Sequence, residues 1–118
     1  MLTVAVKNLI ENAITYSDEG KQVGLGLREK HGVAAIAVTD NGIGMTADQQ
    51  ERAFERFYRA DASRSRQTGG TGLGLSIVKH VASSHLGDVQ VFSRPGVGST
   101  FTLRLPVAPV QNEQEDDE

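Results

Sequence analysis

The chain has 118 residues, of which 38% are hydrophobic, with 12 Lys and Arg against 15 Asp and Glu. This length limits the fold to one domain with a modest core. The absence of Cys excludes disulfides, zinc–thiolate sites and thiol catalysis, and no apolar run reaches the roughly 18 residues that a membrane span needs.

The acidic residues are concentrated at the C-terminus. Residues 111–118 contain five acidic residues and no basic one, which leaves 10 acidic and 12 basic residues in 1–110, a formal charge of +2. We therefore predict a folded domain over 1–107, followed by a disordered acidic tail over 108–118. A body of charge +2 is too weakly basic to indicate a nucleic-acid partner.

Periodicity and turn residues define the elements in chain order. They are a helix over 1–16, strands over 22–28 and 33–39 joined by a turn at 29–32, a helix over 47–57, a loop over 59–72, a helix over 73–85 that stops at Gly87, and strands over 88–93 and 99–105. Thr46 and Gln49 have the spacing of a capping box before the second helix. The order predicts an α+β fold, a two-layer sandwich with a mixed sheet and helices on one face.

Two glycine clusters flank the predicted loop, at 40–44 (Asp-Asn-Gly-Ile-Gly) and at 69–75 (Gly-Gly-Thr-Gly-Leu-Gly-Leu). Glycine lets backbone N–H groups converge on an anion, and the second cluster opens a helix, whose N-terminus favours phosphate. A single cluster often marks only a tight turn. A dinucleotide fingerprint at 42–47 is excluded because no strand ending in an acidic residue follows, and the Walker and protein-kinase signatures are absent.

Asn8 and Asn12 lie one turn apart on the polar side of the first helix. An amide oxygen is a hard neutral ligand that suits Mg²⁺, which often shares its coordination shell with substrate phosphates. The alternative is that both side chains are only solvated, as exposed Asn residues on helices usually are.

Together these motifs resemble the ATP-binding catalytic domain of sensor histidine kinases, in the superfamily that includes gyrase and the heat-shock ninety chaperone. The resemblance covers residues 2 to about 106, with the motifs in the family's order. Residues 8–17 are similar to the N box, 40–44 to the first glycine box, 54–59 to the F box, 70–75 to the second glycine box and 98–101 to the final glycine-hydroxyl strand.

The resemblance implies a role for each matching residue. Asn12 would hold Mg²⁺ with support from Asn8, Asp40 would accept the adenine amino group with help from Thr100, and Arg59 would reach the γ-phosphate. Residues 45–69 would form a lid over ATP, held by Phe54 and Phe57, although such residues are more often core. The implied ATP-binding residues are Asn12, Tyr16, Asp40, Gly42, Gly44, Arg59, Gly70, Thr71, Gly72, Leu73, Gly74 and Thr100, with Asn8 and Arg59 as the catalytic pair.

Two departures from the family pattern bear on activity. Thr15 stands where histidine kinases usually have Lys or Arg. Asn8 stands where the hydrolytic ATPases of the superfamily carry Glu, which favours phosphoryl transfer over hydrolysis. The alternatives are a nucleotide-binding module without activity, and an ATPase or an anti-sigma-factor Ser/Thr kinase of the same superfamily.

The resemblance also implies partners and a location. The phosphoacceptor His would lie on a dimerisation domain of the same protein, and a response regulator would receive the phosphate. No residue precedes the first helix as an N-cap, so we expect the chain to begin inside that helix and to lack the family's first strands. The exposed sheet edge would then favour a homodimer. We expect a cytoplasmic domain that is not inserted in a membrane, while the parent protein could be anchored in the cell membrane.

Overall fold

The computed structural model describes residues 2–17, 22–56 and 74–107. Within these ranges seven elements follow one another, and their types are those predicted. They are α1 (Leu2–Thr15), β1 (Val23–Lys30), β2 (Val33–Asp40), α2 (Ala47–Arg52), α3 (Gly74–Ser84), β3 (Asp88–Arg94) and β4 (Gly98–Pro106). The helix α2 ends five residues earlier than predicted. The predicted loop over 59–72 and the predicted tail over 108–118 lie outside the described residues.

The described strands form one sheet in the order β1-β2-β4-β3. All three pairings are antiparallel, so the prediction of a mixed sheet is wrong for these strands, whereas the α+β class is confirmed. Hairpins join β1 to β2 and β3 to β4, and a hairpin makes its strands antiparallel. The relative direction of β2 and β4, which are not joined by a hairpin, cannot be read from residue alternation.

A two-residue turn connects β1 to β2. His31 and Gly32 have φ of 53° and 78°, so both central residues adopt the left-handed conformation. Positive φ at both positions is typical of the type I′ turn, whose twist matches that of the flanking strands. The strands therefore continue to Lys30 and from Val33, and the turn is shorter than the predicted 29–32.

The core lies between one face of the sheet and the helices α1 and α3. It contains alternate residues of β2 and β4 and the inward side of both helices; its fully buried members are Ala5, Leu9, Val38, Val78, Val81, Ala82, Phe101 and Leu103. On the other face, Arg104 and Asp88 form an exposed bidentate ion pair with N···O distances of 2.9 and 2.7 Å. Helices on one face and solvent on the other make the predicted two layers.

The turn that follows helix α3 contains a residue in the left-handed conformation that is not glycine. Leu86 has φ of 62° and its N–H donates to the Ser83 carbonyl, while the Gly87 N–H donates to the Ala82 carbonyl over 2.8 Å. This is the hydrogen-bond pattern of a Schellman motif, with Leu86 where glycine is usual. Gly87, the predicted stop, is needed for a different reason, because a Cβ there would lie 2.0 Å from the Arg104 carbonyl oxygen.

Candidate functional site

Asp40 is the last residue of β2 and its carboxylate is enclosed by backbone. The residue is 3% exposed, and its Oδ1 accepts a hydrogen bond of 2.9 Å from the Gly42 N–H. Ser99 lies directly opposite on β4, and its backbone N–H helps to lower the pKa of the carboxyl. A carboxylate offers about four lone-pair sites, so acceptor capacity remains for a ligand.

Burial sets the ionisation of this carboxylate. Loss of hydration raises the pKa of Asp40 above its ordinary value of 3.8, and the hydrogen bonds from Gly42 and Ser99 lower it by a smaller amount. A buried acid that keeps its negative charge needs such donors, because an unpaired charge is costly to bury. The site therefore presents a buried, hydrogen-bonded carboxyl group at the end of a core strand.

The first glycine box brings backbone segments into close contact around Asp40. A Cβ at Gly42 would lie 1.9 Å from the Tyr16 carbonyl oxygen, and a Cβ at Gly44, where φ is 69°, would lie 1.9 Å from the Arg94 carbonyl oxygen. The Ile43 N–H donates to the same Tyr16 carbonyl over 3.1 Å. Both glycines, predicted as ATP-binding residues, thus have a structural reason to be glycine that is independent of a ligand.

The helix α1 connects the two glycine boxes. Near its middle, the Asn8 side chain donates to the Gly74 carbonyl over 3.4 Å, at the start of α3. After its C-terminal end, the carbonyl of Tyr16 contacts the first glycine box, as described above. Asn12 lies between them, half-buried, and its carbonyl accepts the Tyr16 N–H over 3.2 Å. The helix α1 and its contacts therefore link six of the predicted site residues: Asn8, Asn12, Tyr16, Asp40, Gly42 and Gly74.

Thr100 is placed differently from the prediction. Its Oγ1 lies 3.1 Å from Thr39 Oγ1, and Thr100 pairs with Thr39 across the sheet. Successive residues of a strand face opposite sides of the sheet, so Thr100 faces away from the side of Asp40. The prediction that Thr100 lies beside Asp40 is wrong, and Ser99 is the hydroxyl residue at that position. The sequence did contain a signal for this, because Ser99 lies two and four residues before the apolar Phe101 and Leu103 and so faces the same side of the strand.

Two further polar residues near the site had not been predicted. Ser93, 8% exposed on β3, has its Oγ 2.7 Å from the Met45 nitrogen and 2.7 Å from Ser99 Oγ. Gln50 on α2 donates through Nε2 to the carbonyls of Ser93 and Met45 over 3.0 and 3.2 Å. The available signal for Ser93 was its place on the apolar face of β3, after Val89 and Val91.

The first part of the predicted lid belongs to the packed body. The capping box of α2 is confirmed, since Gln49 N–H donates to Thr46 Oγ1 over 3.2 Å and Thr46 N–H donates to Gln49 Oε1 over 2.9 Å. Ala53 is 4% exposed, and the Phe54 ring meets the Phe101 ring edge-on at 6.1 Å. Met45, Ala53 and Phe54 therefore anchor this segment on the core, while most of the residues between them are exposed. The remaining predicted site residues, Phe57, Arg59, Gly70, Thr71, Gly72 and Leu73, lie outside the described residues.

The described side chains fit a magnesium ion only if a bound nucleotide supplies most of its ligands, as in ATP-binding sites. Over 2–17, 22–56 and 74–107, no three His, Cys, Asp or Glu residues are grouped as a metal site. Magnesium bound with nucleotide needs few protein ligands, because phosphate oxygens and water complete its octahedron. One amide oxygen, from Asn12, is consistent with that requirement.

No described helix combines the length and the apolar character that crossing a bilayer requires.

Comparison with known proteins gives a consistent result. Residues 1–109 match the family described as histidine kinase-, DNA gyrase B- and HSP90-like ATPase. The sensor-like histidine kinase SenX3 of Mycolicibacterium smegmatis is 56% identical over 109 residues, which are 92% of this chain and 28% of that protein.

Two solved structures share the fold. The mycobacterial sensor histidine kinase MprB matches with a TM-score of 0.79 and 33% identity, over 92% of this chain and 74% of that one. ShkA, solved at full length in complex with AMPPNP, matches with a TM-score of 0.76 and 30% identity, over 93% of this chain and 23% of that one. The chain thus spans about a quarter of the length of SenX3 and of ShkA. The chain belongs to the histidine kinase-, DNA gyrase B- and HSP90-like ATPase family, as an ATP-binding catalytic domain of the sensor histidine kinase type.

Proposed function

We propose that residues 1–107 bind Mg-ATP and transfer its γ-phosphate to a His on a separate dimerisation domain of the same protein. The observation that carries this proposal is the buried carboxylate of Asp40, which accepts the Gly42 N–H and still has acceptor capacity. We further propose that residues 108–118 form an acidic tail outside this domain.

Adenine recognition would begin at Asp40. The exocyclic amino group of adenine is a donor, and a fixed carboxylate that retains acceptor capacity is its complement. Tyr16 lies next to the first glycine box through its backbone, so its ring could flank the base. ShkA, which contains the same fold and was solved in complex with AMPPNP, supports a nucleotide ligand for this chain.

Phosphate binding would fall to the second glycine box and the start of α3. The hydrogen bond from Asn8 to the Gly74 carbonyl holds α1 against the start of this helix, where free N–H groups favour an anion. Asn12 would hold Mg²⁺, which neutralises phosphate charge when bound. Gly70, Thr71, Gly72 and Leu73 would surround the phosphates, and Arg59 would offset charge at the γ-phosphate.

The transfer itself needs positioning and charge neutralisation more than acid–base chemistry. The bond from the γ-phosphorus to the oxygen it shares with the β-phosphate breaks, ADP leaves, and a phosphorus–nitrogen bond forms to the acceptor imidazole. A site of amides, glycines and arginines suits this chemistry. Asn8 has no proton-accepting carboxylate with which to activate water, which disfavours hydrolysis.

The relatives are much longer than the matched region, which leaves room for a partner domain in the same protein. SenX3 is more than three times as long as the matched region, so a protein of this type has room for a phosphoacceptor domain. We propose that this domain and a response regulator are the partners, that nucleic acid is not one, and that the domain works in the cytoplasm without entering a membrane. A parent protein anchored in the cell membrane agrees with this arrangement.

Calorimetric titration of the chain with ATP, with and without Mg²⁺, tests the binding step. We expect binding that Mg²⁺ strengthens and that Asp40→Ala abolishes. Retained affinity in Asp40→Ala would contradict the placement of adenine. The absence of binding heat at millimolar ATP would support the alternative of a module without activity.

Radiolabelled ATP and an added phosphoacceptor domain test the transfer step. We expect acid-labile label on His of that domain. Label on Ser or Thr would support the anti-sigma-factor kinase alternative, and release of inorganic phosphate without labelled protein would support the ATPase alternative.

A further inference from the structure

The Ser93 hydroxyl has three polar neighbours beside the Asp40 site. Its Oγ lies 2.7 Å from the Met45 nitrogen, 2.9 Å from the Gly98 carbonyl oxygen and 2.7 Å from Ser99 Oγ. All of these atoms belong to buried residues. Buried polar groups are normally hydrogen-bonded, so each contact has to be assigned a donor and an acceptor.

The chemistry of the neighbours leaves one assignment. Ser93 has a single hydroxyl proton, the Met45 N–H can only donate, and the Gly98 carbonyl can only accept. Ser93 therefore donates to Gly98 and accepts from Met45. The contact with Ser99 is then a hydrogen bond only when Ser99 is the donor. The hydroxyl proton of Ser99 is thus directed at Ser93, and the Ser99 oxygen presents lone pairs to any other neighbour.

Ser99 and Asp40 are directly opposite each other in the antiparallel register of β4 and β2. Residues opposite each other share a face of the sheet, so the side chains of Ser99 and Asp40 are neighbours. The corner of the sheet therefore carries two adjacent acceptors, a carboxylate and a hydroxyl oxygen whose proton points elsewhere.

Gln50 keeps this arrangement in place from α2. Its Nε2 donates to the Ser93 carbonyl over 3.0 Å and to the Met45 carbonyl over 3.2 Å. The same amide thus holds the strand that carries Ser93 and the loop whose N–H donates to it. Ser93 has little freedom to turn its hydroxyl to another partner.

We propose that Ser93 is a positioning residue that determines base specificity, because it holds the Ser99 proton away from the ligand. This inference rests on the proposed function, ATP binding at Asp40. Two adjacent acceptors favour a purine with an amino group at C6. Inosine triphosphate has a carbonyl oxygen there, whose lone pairs would face those of Asp40 and Ser99.

The test compares Mg-ATP and Mg-ITP by calorimetry on the whole 118-residue chain. We expect wild type to prefer ATP by about tenfold or more, the loss that follows when a buried polar group has no partner. In Ser93→Ala the Ser99 proton is released and can turn to the inosine oxygen. The ATP/ITP affinity ratio should then fall by about tenfold. Ser93→Thr keeps a hydroxyl and should keep the ratio, as should Ser84→Ala, an exposed serine on α3.

The ratio separates specificity from simple destabilisation. A merely structural role for Ser93 would weaken both nucleotides alike and leave the ratio unchanged, which would overturn the inference. Should Ser93→Ala fail to fold, Ser99→Ala gives the answer, because it removes one acceptor with Ser93 in place and should also reduce the ratio. An unchanged ratio in that variant would overturn the inference as well. Wild type that binds no ATP would instead overturn the proposed function.

Discussion

At the scale of single residues, Asp40 would couple stability to the proposed binding of ATP. Burial raises its pKa in the folded protein above the ordinary 3.8, so the folded state holds the proton more tightly than the unfolded chain does. Stability therefore falls as the pH rises from the ordinary pKa through the folded pKa, because ionising the buried carboxyl is a cost to folding. The proposed contact with the adenine amino group would need the ionised form.

We expect ATP affinity to fall on acidification at a pH higher than an ordinary aspartate would set. Titration calorimetry between about pH 4 and pH 8 would measure it. Asp40→Asn should lose about tenfold or more in affinity at neutral pH without loss of stability there. Asp88→Asn is the matched control, because Asp88 is exposed on the other face of the sheet, and it should leave affinity unchanged. A pH-independent affinity in wild type would contradict the expectation.

Gly44 offers a second test at this scale. Gly44→Ala would place a Cβ 1.9 Å from the Arg94 carbonyl oxygen in a residue with φ of 69°. We expect a loss of about 2 kcal/mol or more in the free energy of unfolding, measured in urea. Gly24→Ala is the control, since nothing lies within 4 Å of a Cβ there, and it should be neutral or gain up to about 1 kcal/mol. Equal losses in the two variants would contradict this account.

Residue roles were the least predictable part of the site. Asp40 could be predicted from the sequence as a carboxylate at the end of an apolar strand, and its burial agrees with that prediction. Thr100 was misplaced by one position, which in a strand moves a side chain to the opposite face. Ser93 and Gln50 make hydrogen bonds that connect three elements, and no local sequence pattern predicts such contacts.

At the scale of elements, the helix termini show what local sequence can and cannot predict. The capping box at Thr46 is a pattern within four residues, and it was predicted correctly. The end of α3 was predicted to within one residue, but the residue in the left-handed conformation is Leu86 and not a glycine. Gly87 is instead required by its contact with β4, which lies far away in sequence.

Leu86→Gly should therefore stabilise the protein. Leu86 is 87% exposed, so little packing is lost, and glycine removes the cost of a left-handed conformation. We expect a gain of about 1 kcal/mol, seen as a higher melting temperature. Val97→Gly is the comparison, because Val97 is 64% exposed but has no positive φ, and it should not stabilise. A lower melting temperature for Leu86→Gly would contradict the argument.

At the scale of the molecule, the edge strand β1 is the exposed feature. Leu25 and Leu27 are 64% and 77% exposed, and β1 has one described neighbour, β2. An apolar edge strand with unpaired backbone groups tends to pair with another chain. The order and type of the elements were predictable because each has its own periodicity, whereas strand direction depends on tertiary pairing.

We expect the chain to self-associate through β1, as the predicted homodimer requires. Sedimentation velocity over a range of concentrations should show association in wild type and a monomer in Leu25→Lys and Leu27→Lys. Leu86→Lys is the control, since Leu86 is even more exposed than Leu25 and Leu27 but lies outside the strands. Association that survives both β1 variants, or that Leu86→Lys also removes, would place the contact elsewhere.

The antiparallel pairing of β2 with β4 also bears on how the protein folds. It brings Asp40 opposite Ser99, residues far apart in the chain, while the two hairpins form from neighbouring segments. Closing a long loop has an entropic cost that must be met before distant contacts stabilise the chain, so local hairpins are expected to form early and the central pairing late. The corner that would recognise the base therefore comes into existence only with the last cooperative step, and a partly folded chain would have both hairpins but no binding site.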